Sequence, residues 1–286
     1  METKVSSASK EVKIGTSLPT VLIGERINPS GRKKLTEALR SGNLDMVRTE
    51  AISQVKAGAD IIDVNVGATG VDEVDVLPKV VKIVMEAVDV PICIDGEDPK
   101  ALEAALKVYK GKPIVNSVKG EKKSLETVLP LIKEYGAAVI GLTIDDDGLP
   151  KTADKRVQIA AKIIERAEKM GIPRENVIID TLAMAVAADS KSAIPVLEAI
   201  RRINAEFGVN QTLGASNISF NLPDREYLNA AFLSLVINAG VTCPIVDAAK
   251  VRAAIVSTDL LLGRDNYAQR YIKAFRQRQQ AKAGTS

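Results

Sequence analysis

The stretch "DIIDVNVGATGVDEVDVLPKVVKIVMEAVDVPICIDG", residues 60–96, decides the fold. It opens on a short apolar run, DIIDVNVG (60–67). VLPKVVKIVMEAVD (76–89) follows, with apolar residues recurring at helical spacing. A second apolar run, VPICIDG (90–96), closes it. Two short apolar runs joined by an amphipathic helix are the pattern of parallel strands in a β-α-β unit. Both runs also end alike. The apolar residues give way to polar ones, Asp63 and Asn65 in the first run and Asp95 in the second.

The same unit repeats in both directions. Upstream, TVLIGERIN (20–28) reads as a strand and LDMVRTEAISQVKAGA (44–59) as a helix. Downstream, Asp98 and Pro99 predict the N-cap and first position of a helix over 98–109. PIVNSV (113–118) is a strand, and SLETVLPLIKEYG (124–136) a helix that stops at Gly136. Further strands are predicted over 137–145, 176–182, 211–219 and 241–248. Further helices are predicted over 152–171, 192–208, 225–240, 249–262 and 266–280. Eight strands, each followed by a helix, predict an α/β fold, a (β/α)8 TIM barrel, which typically takes about 250 residues. A doubly wound sheet competes. The count of eight and the lack of a GxGxxG turn favour the barrel. No low-complexity linker interrupts the chain, so a single domain is expected over 19–280, with a flexible tail at 1–18 and another at 281–286.

Composition narrows the function. Of 286 residues, 46% are hydrophobic, ample for a large core. The net charge of +3 comes with no long basic run, so no nucleic-acid partner is expected. No apolar run approaches the roughly 18 residues of a membrane span, and METKVSSASKEVK lacks the apolar centre of a signal peptide. A cytoplasmic protein is expected. Cys93 and Cys243 are distant in sequence and read as buried free thiols. There is no histidine, which excludes Ser-His-Asp and Cys-His catalysis and any histidine ligand to a metal.

Active sites of such barrels sit at the C-terminal ends of the strands. Those ends carry Glu25 and Asn28, Asp63 and Asn65, Asp95, Asn116, Thr143 and Asp145, Asp180, Asn217 and Asp247. Any one of them has a bland explanation, because Asp and Asn favour turns and caps. For Asp145-Asp146-Asp147-Gly148 the turn is the better reading, and Glu25 beside Arg26 reads equally as an internal ion pair. Recurrence on nearly every strand is what points to a site. Carboxylates suit Mg²⁺ or Ca²⁺, but here they are spread around a ring and mixed with neutral amides, so no bound metal is expected. A flat heterocycle with an amidine-like edge fits better. Its adjacent N–H groups can donate in parallel to one carboxylate, and amides can pair with its ring nitrogens and carbonyl. A pterin has this pattern.

"IGERIN", "DVNVG", "ICIDG", "IVNS", "AAVIGLTIDDDGLPKT", "VIIDTL" and "LGASNISF" together resemble the pterin-binding methyltransferases. These are the methyltetrahydrofolate:corrinoid protein methyltransferases of anaerobic one-carbon metabolism and the folate module of cobalamin-dependent methionine synthase. The resemblance covers about residues 20–275. It implies a dihydropteroate synthase-like barrel that moves a methyl group between N5 of tetrahydrofolate and the cobalt of a corrinoid carried by a partner protein. Asp95, Asn116 and Asp180 match the residues that bind the pterin ring, with Asp63 and Asn65 beside the same pocket. Asn217 matches the asparagine that reaches toward N5 and is the expected catalytic residue. Arg225 matches a further binding arginine. Phe220 resembles the methionine synthase version of its position. Homodimers are common in the family. Both directions of transfer fit; a detached single-domain protein favours methylcorrinoid plus tetrahydrofolate giving methyltetrahydrofolate. Tetrahydromethanopterin also fits as the carrier.

Dihydropteroate synthase itself is a rival, but its family carries lysine and arginine on strand seven, where this chain has Ser216-Asn217-Ile218-Ser219. A non-catalytic pterin- or corrinoid-binding module and a metal-dependent barrel lyase or aldolase compete as well.

Overall fold

The computed structural model describes residues 1–283. The chain opens with β1 (Glu2–Ser6) and β2 (Glu11–Gly15), paired antiparallel. Eight strands follow: β3 (Ile23–Ile27), β4 (Ile61–Asn65), β5 (Ile92–Asp95), β6 (Ile114–Lys119), β7 (Ala138–Leu142), β8 (Val177–Asp180), β9 (Gln211–Thr212) and β10 (Ile245–Val246). All neighbours are parallel, in the order β10-β3-β4-β5-β6-β7-β8-β9. A bridge between Gly214 and Ile245 joins the two ends and closes the barrel.

The helices pack around it. They are α1 (Lys33–Ser41), α2 (Asp45–Ala57), α3 (Glu73–Ala87), α4 (Pro99–Val108), α5 (Lys122–Tyr135), α6 (Ala153–Lys169), α7 (Ala193–Phe207), α8 (Arg225–Ala239), α9 (Ala248–Leu261) and α10 (Gln269–Ala283). Local chemistry sets their ends. Asp98 accepts from the Lys100 N–H at 2.9 Å with Pro99 at the first position, as its sequence predicts. Gly136 ends α5 in the left-handed region, φ 63°, which costs glycine little. α5 begins two residues before the predicted Ser124, whose hydroxyl accepts from the Lys119 N–H instead.

Side chains alternate across each strand, and the two faces bury different things. One face, with Ile62, Ile94, Val115, Val139 and Ile179, packs against the helices. The other, with Ile23, Ile61, Cys93, Ile114, Ile140 and Ile178, fills the barrel. Glycine allows one close approach. A Cβ on Gly24 would lie 2.4 Å from Gln54 Oε1, an oxygen that already accepts from the Arg26 N–H.

The expected tail at 1–18 is not a tail. Residues 2–15 form the β1–β2 hairpin, whose Val5 and Ile14 are fully buried in the same cluster as the barrel interior. The Asn210 amide ties it down, donating to Thr3 Oγ1 at 2.8 Å and to the Ile14 carbonyl at 3.0 Å. The hairpin closes the N-terminal end of the barrel, where apolar strand residues would otherwise meet water. Of the tail expected at 281–286, α10 runs through 281–283 and 284–286 lie outside the described residues.

If the hairpin plugs the barrel, Ile14→Ala should cost about 2–5 kcal/mol of stability, the range for a buried Ile-to-Ala truncation. Urea unfolding measures it, and a loss within error would return residues 1–18 to the status of a tail.

Candidate active site

The alternation that fills the barrel also builds its mouth. On five of the strands the interior face turns polar two residues beyond its apolar side chain. Ile23 is followed by Glu25, Ile61 by Asp63 and then Asn65, Cys93 by Asp95, Ile114 by Asn116, and Ile178 by Asp180. Strand register sets these groups side by side. Asn65, Asp95 and Asn116 stand opposite one another on β4, β5 and β6, and Asp63 lies one layer deeper, opposite Cys93.

Burial dominates the chemistry of the acids, because a carboxylate leaving water favours its neutral form. Asp63 is 2% exposed. Burial and then the neighbouring Asp95 charge hold its carboxyl well above the usual range, against hydrogen bonds from the Cys93 thiol and Asn116. The Asn116 amide donates to Asp63 Oδ1 at 3.3 Å. Burial lifts Asp95 to about 6, opposed by its hydrogen bond with Asn65. Burial lifts Asp180 to about 7, opposed by the Leu182 N–H, by the Arg156 charge and by the Gly214 N–H. The Leu182 N–H donates to Asp180 Oδ1 at 2.6 Å. Burial also raises Glu25, against the Ser216 hydroxyl, which donates to it at 2.8 Å.

The strand expected over 211–219 is strand only at Gln211–Thr212. After the bridge at Gly214 the chain turns into a 3-10 helix, Ala215–Ser219. Asn217 therefore sits on a turn over the mouth, exposed, not on a strand end. Its amide lies above Gly214, where an added Cβ would approach Asn217 Nδ2 to 3.0 Å. Gly214 also donates to Asp180, so Asn217 and Asp180 both border this glycine. Arg225, first residue of α8, clamps the turn. Its guanidinium donates to Ser219 Oγ at 2.9 Å and to the Ser216 carbonyl at 2.7 Å, and it lies 6.0 Å from the Phe220 ring centre.

Other members of the predicted ring face away from it or are taken up, in whole or in part, by local partners. Thr143 is buried with its hydroxyl unpartnered and belongs to the outward face of its strand; the inward residue is Leu142. Asp145 forms a turn with the Asp147 N–H and an ion pair with Lys155 at 2.8 Å. Asn28 accepts from the Ser30 N–H in a local turn. Asp247 caps α9 and pairs with Arg26 at 3.7 Å; Arg26 pairs with Glu50 as well, and not with Glu25. The signal for Leu142 is the period of two from Ala138 and Ile140, which the polar residues just after it mask. Leu142 shares a cavity of about 400 Å³ with Asp95 and Asn116. A smaller one, about 140 Å³, is lined by Glu25, Ser216, Arg225 and Asp247, whose charge adds to the rise of Glu25. A larger groove, about 720 Å³, runs along α1 away from the carboxylates.

Residues 24–247 match the pterin-binding enzyme family, and the chain belongs to it. It is 34% identical over 264 residues to the methylcorrinoid:tetrahydrofolate methyltransferase of Eubacterium limosum, covering 90% of this chain and 96% of that one. It is 32% identical over 263 residues to the methionine synthase of Mycobacterium tuberculosis, covering 87% of this chain and 22% of that one. In fold it is similar to the dihydropteroate synthase of Yersinia pestis, with a TM-score of 0.69 at 16% identity, covering 91% of this chain and 98% of that one. It is similar also to the dihydropteroate synthase of Xanthomonas albilineans in complex with 7,8-dihydropteroate, with a TM-score of 0.67 at 18% identity, covering 91% and 98%. The expectations of a TIM barrel and of a pterin-binding methyltransferase are borne out.

The raised carboxyls have a cost that can be measured. Asp95 and Asp180 bind a proton more tightly folded than unfolded. The stability they contribute is complete below about pH 4, their ordinary range, and is lost as pH rises through about 6 and about 7. Scanning calorimetry should therefore show the melting temperature falling from pH 5 to pH 8. Asp180→Asn, which cannot ionise, should flatten that fall and melt higher at pH 8. A wild-type profile that is flat over this interval would contradict the assignment.

Proposed function

We propose that the chain moves a methyl group between N5 of a tetrahydrofolate and the cobalt of a corrinoid that a separate protein carries. One observation carries this reading. The mouth gathers three buried carboxyls, Asp63, Asp95 and Asp180, whose partners within the chain do not offset their burial, so it fits a ligand whose edge is rich in N–H groups. A pterin is such a ligand, and a methylcorrinoid:tetrahydrofolate methyltransferase is among the relatives. Asp95, Asn116 and Asp180 hold the ring in this reading, with Asn65 abreast of Asp95, Asp63 one layer deeper and Leu142 as an apolar surface against it. Buried polar pairing of this kind discriminates strongly, because a mismatched ligand leaves groups unsatisfied.

The partner's corrinoid supplies or takes the methyl group. This chain has to orient the pterin and steady the charge that changes on N5. Asn217 suits the second task. It is neutral, exposed over the mouth and, like Asp180, borders Gly214. Arg225 serves it by holding the turn, in addition to the binding role the resemblance implies. The direction we favour is methylcorrinoid plus tetrahydrofolate giving methyltetrahydrofolate. A cytoplasmic homodimer completes the proposal.

The test is anaerobic. Purified protein is mixed with methyltetrahydrofolate and Co(I) cobalamin, and separately with methylcobalamin and tetrahydrofolate, while the corrinoid spectrum is followed. Transfer in either pairing is expected, faster in the second. Folate binding by calorimetry without transfer to free or protein-bound corrinoid would make the chain a binding module, and no folate binding would remove the proposal. Asn217→Ala should slow transfer by about 10²–10³-fold, the usual cost of one transition-state donor, with folate affinity little changed. A near-normal rate in that variant would leave Asn217 without its role.

A further inference from the structure

Arg156 lies on α6, the helix that follows β7, and is 2% exposed. A guanidinium is seldom buried to this degree without a carboxylate in an ion pair. Among the described residues Arg156 makes no such pair. Its Nη1 donates to the carbonyl of Thr181 and, at 3.1 Å, to that of Leu182. Its Nε has no partner. These two carbonyls directly follow Asp180. Leu182 has φ 61°, a left-handed conformation that branched side chains adopt only when the surroundings impose it. The Thr181 carbonyl and the Leu182 N–H belong to one planar peptide group, so the guanidinium that holds the carbonyl also orients the N–H, which donates to Asp180 Oδ1 2.6 Å away.

The arrangement reads as a chain of consequence. The buried guanidinium holds two carbonyls, the carbonyls hold the turn, and the turn's N–H holds the carboxylate. We propose that Arg156 is a positioning residue for Asp180, fixing the 180–182 turn that aims this carboxylate into the barrel mouth and supplying the cation that keeps it an acceptor for the N–H edge of the pterin. The proposal rests on the pterin reading of the site only in what Asp180 accepts from; the positioning itself does not depend on it.

The charges around Asp180 are few. Burial raises it, and the groups opposing that rise are the Leu182 N–H from its own turn, the Arg156 charge from α6 and the Gly214 N–H from the segment after β9. The Cys243 thiol, just before β10, also feels Asp180; burial and that charge push the thiol up to about 12, so it is neutral near pH 7. Arg156 in turn has Asp180 as the charged group acting on it. Asp180 stands near 7 with the cation present, so removing one nearby opposite charge moves it into the alkaline range.

Three variants test this: Arg156→Met, which removes charge and donors, Arg156→Gln, which keeps a donor without charge, and Arg156→Lys, which keeps the charge. Circular dichroism and melting curves establish which of them fold. The Asp180 carboxyl is followed by carbon NMR against pH in the ligand-free protein and assigned with Asp180→Asn. Methyltetrahydrofolate affinity is followed by calorimetry from pH 6 to pH 9. Arg156→Met and Arg156→Gln should raise the Asp180 midpoint by about one pH unit. With a wild-type midpoint near 7, affinity at pH 7 then falls about five-fold and recovers by pH 9. Arg156→Lys should restore most of the wild-type profile. An unchanged Asp180 midpoint in either uncharged variant overturns the proposal, as does a uniform loss of affinity at every pH. If Arg156→Met does not fold, Arg156→Gln decides by the same readouts. A shifted midpoint in the uncharged variants, with a wild-type protein that binds no folate, would uphold the positioning and remove the pterin reading instead.

Discussion

Carboxyl groups buried above an apolar barrel, with few cations to meet them, are the constraint on which the rest of this structure turns. The interior is filled by Ile23, Ile61, Ile114, Ile140 and Ile178, and the hairpin residues Val5 and Ile14 seal it from below. Water is kept from the underside of Asp63 and Asp180, and Asp95 stands at the edge of the same layer. Each acid consequently resists ionising. Above the ordinary carboxylate range the folded chain loses stability to this arrangement. The acids become useful when a ligand brings N–H groups, which are then worth more than in water because they meet acceptors in a low-dielectric setting. The site is thus preorganised by the same burial that weakens the fold around it.

Two arginines manage the loops above this layer. Arg225 holds the 3-10 turn that carries Asn217, through Ser219 Oγ and the Ser216 carbonyl. Arg156 holds the turn after Asp180 through the Thr181 and Leu182 carbonyls. Both spend their donors on backbone or hydroxyl oxygens, which bind without being neutralised. Their charge stays available to the mouth, Arg225 toward Glu25 and Arg156 toward Asp180. The use of a neutral amide at 217 fits this setting. A charged residue on that exposed turn would alter the field at four raised carboxyls, whereas an amide offers a donor and leaves the balance alone.

Much of this was legible in the residue order. The eight strand-helix pairs, the Asp98-Pro99 helix start and the polar ends of β4, β5, β6 and β8 stand where the alternation of residues 60–96 leads one to expect. These features are local: a period of two, a period of 3.6, a cap. What the residue order concealed depended on partners distant in sequence. Thr3, Val5, Val12 and Ile14 already alternate, yet five-residue strands are not stable alone; the barrel floor and Asn210 make a hairpin of them. Asn28, Asp145 and Asp247 looked the same as Asp95 in sequence, but each finds a backbone N–H or a cation close by and is spent there.

The sequence by itself determined the fold class and the types of group at the barrel mouth, because strand and helix periodicity and the polar strand ends are written in consecutive residues. Only the tertiary structure decided which of those groups share one site. Register between β4, β5 and β6 placed Asn65, Asp95 and Asn116 abreast. Barrel closure set Asn217 and Asp180 on the borders of one glycine, Gly214. Face parity chose Leu142 over Thr143, and burial of Arg156 from another helix turned Leu182 back on Asp180. Each of these is a relation between chain segments tens of residues apart. It is settled by which side chains must leave water together, and no window of sequence contains both partners.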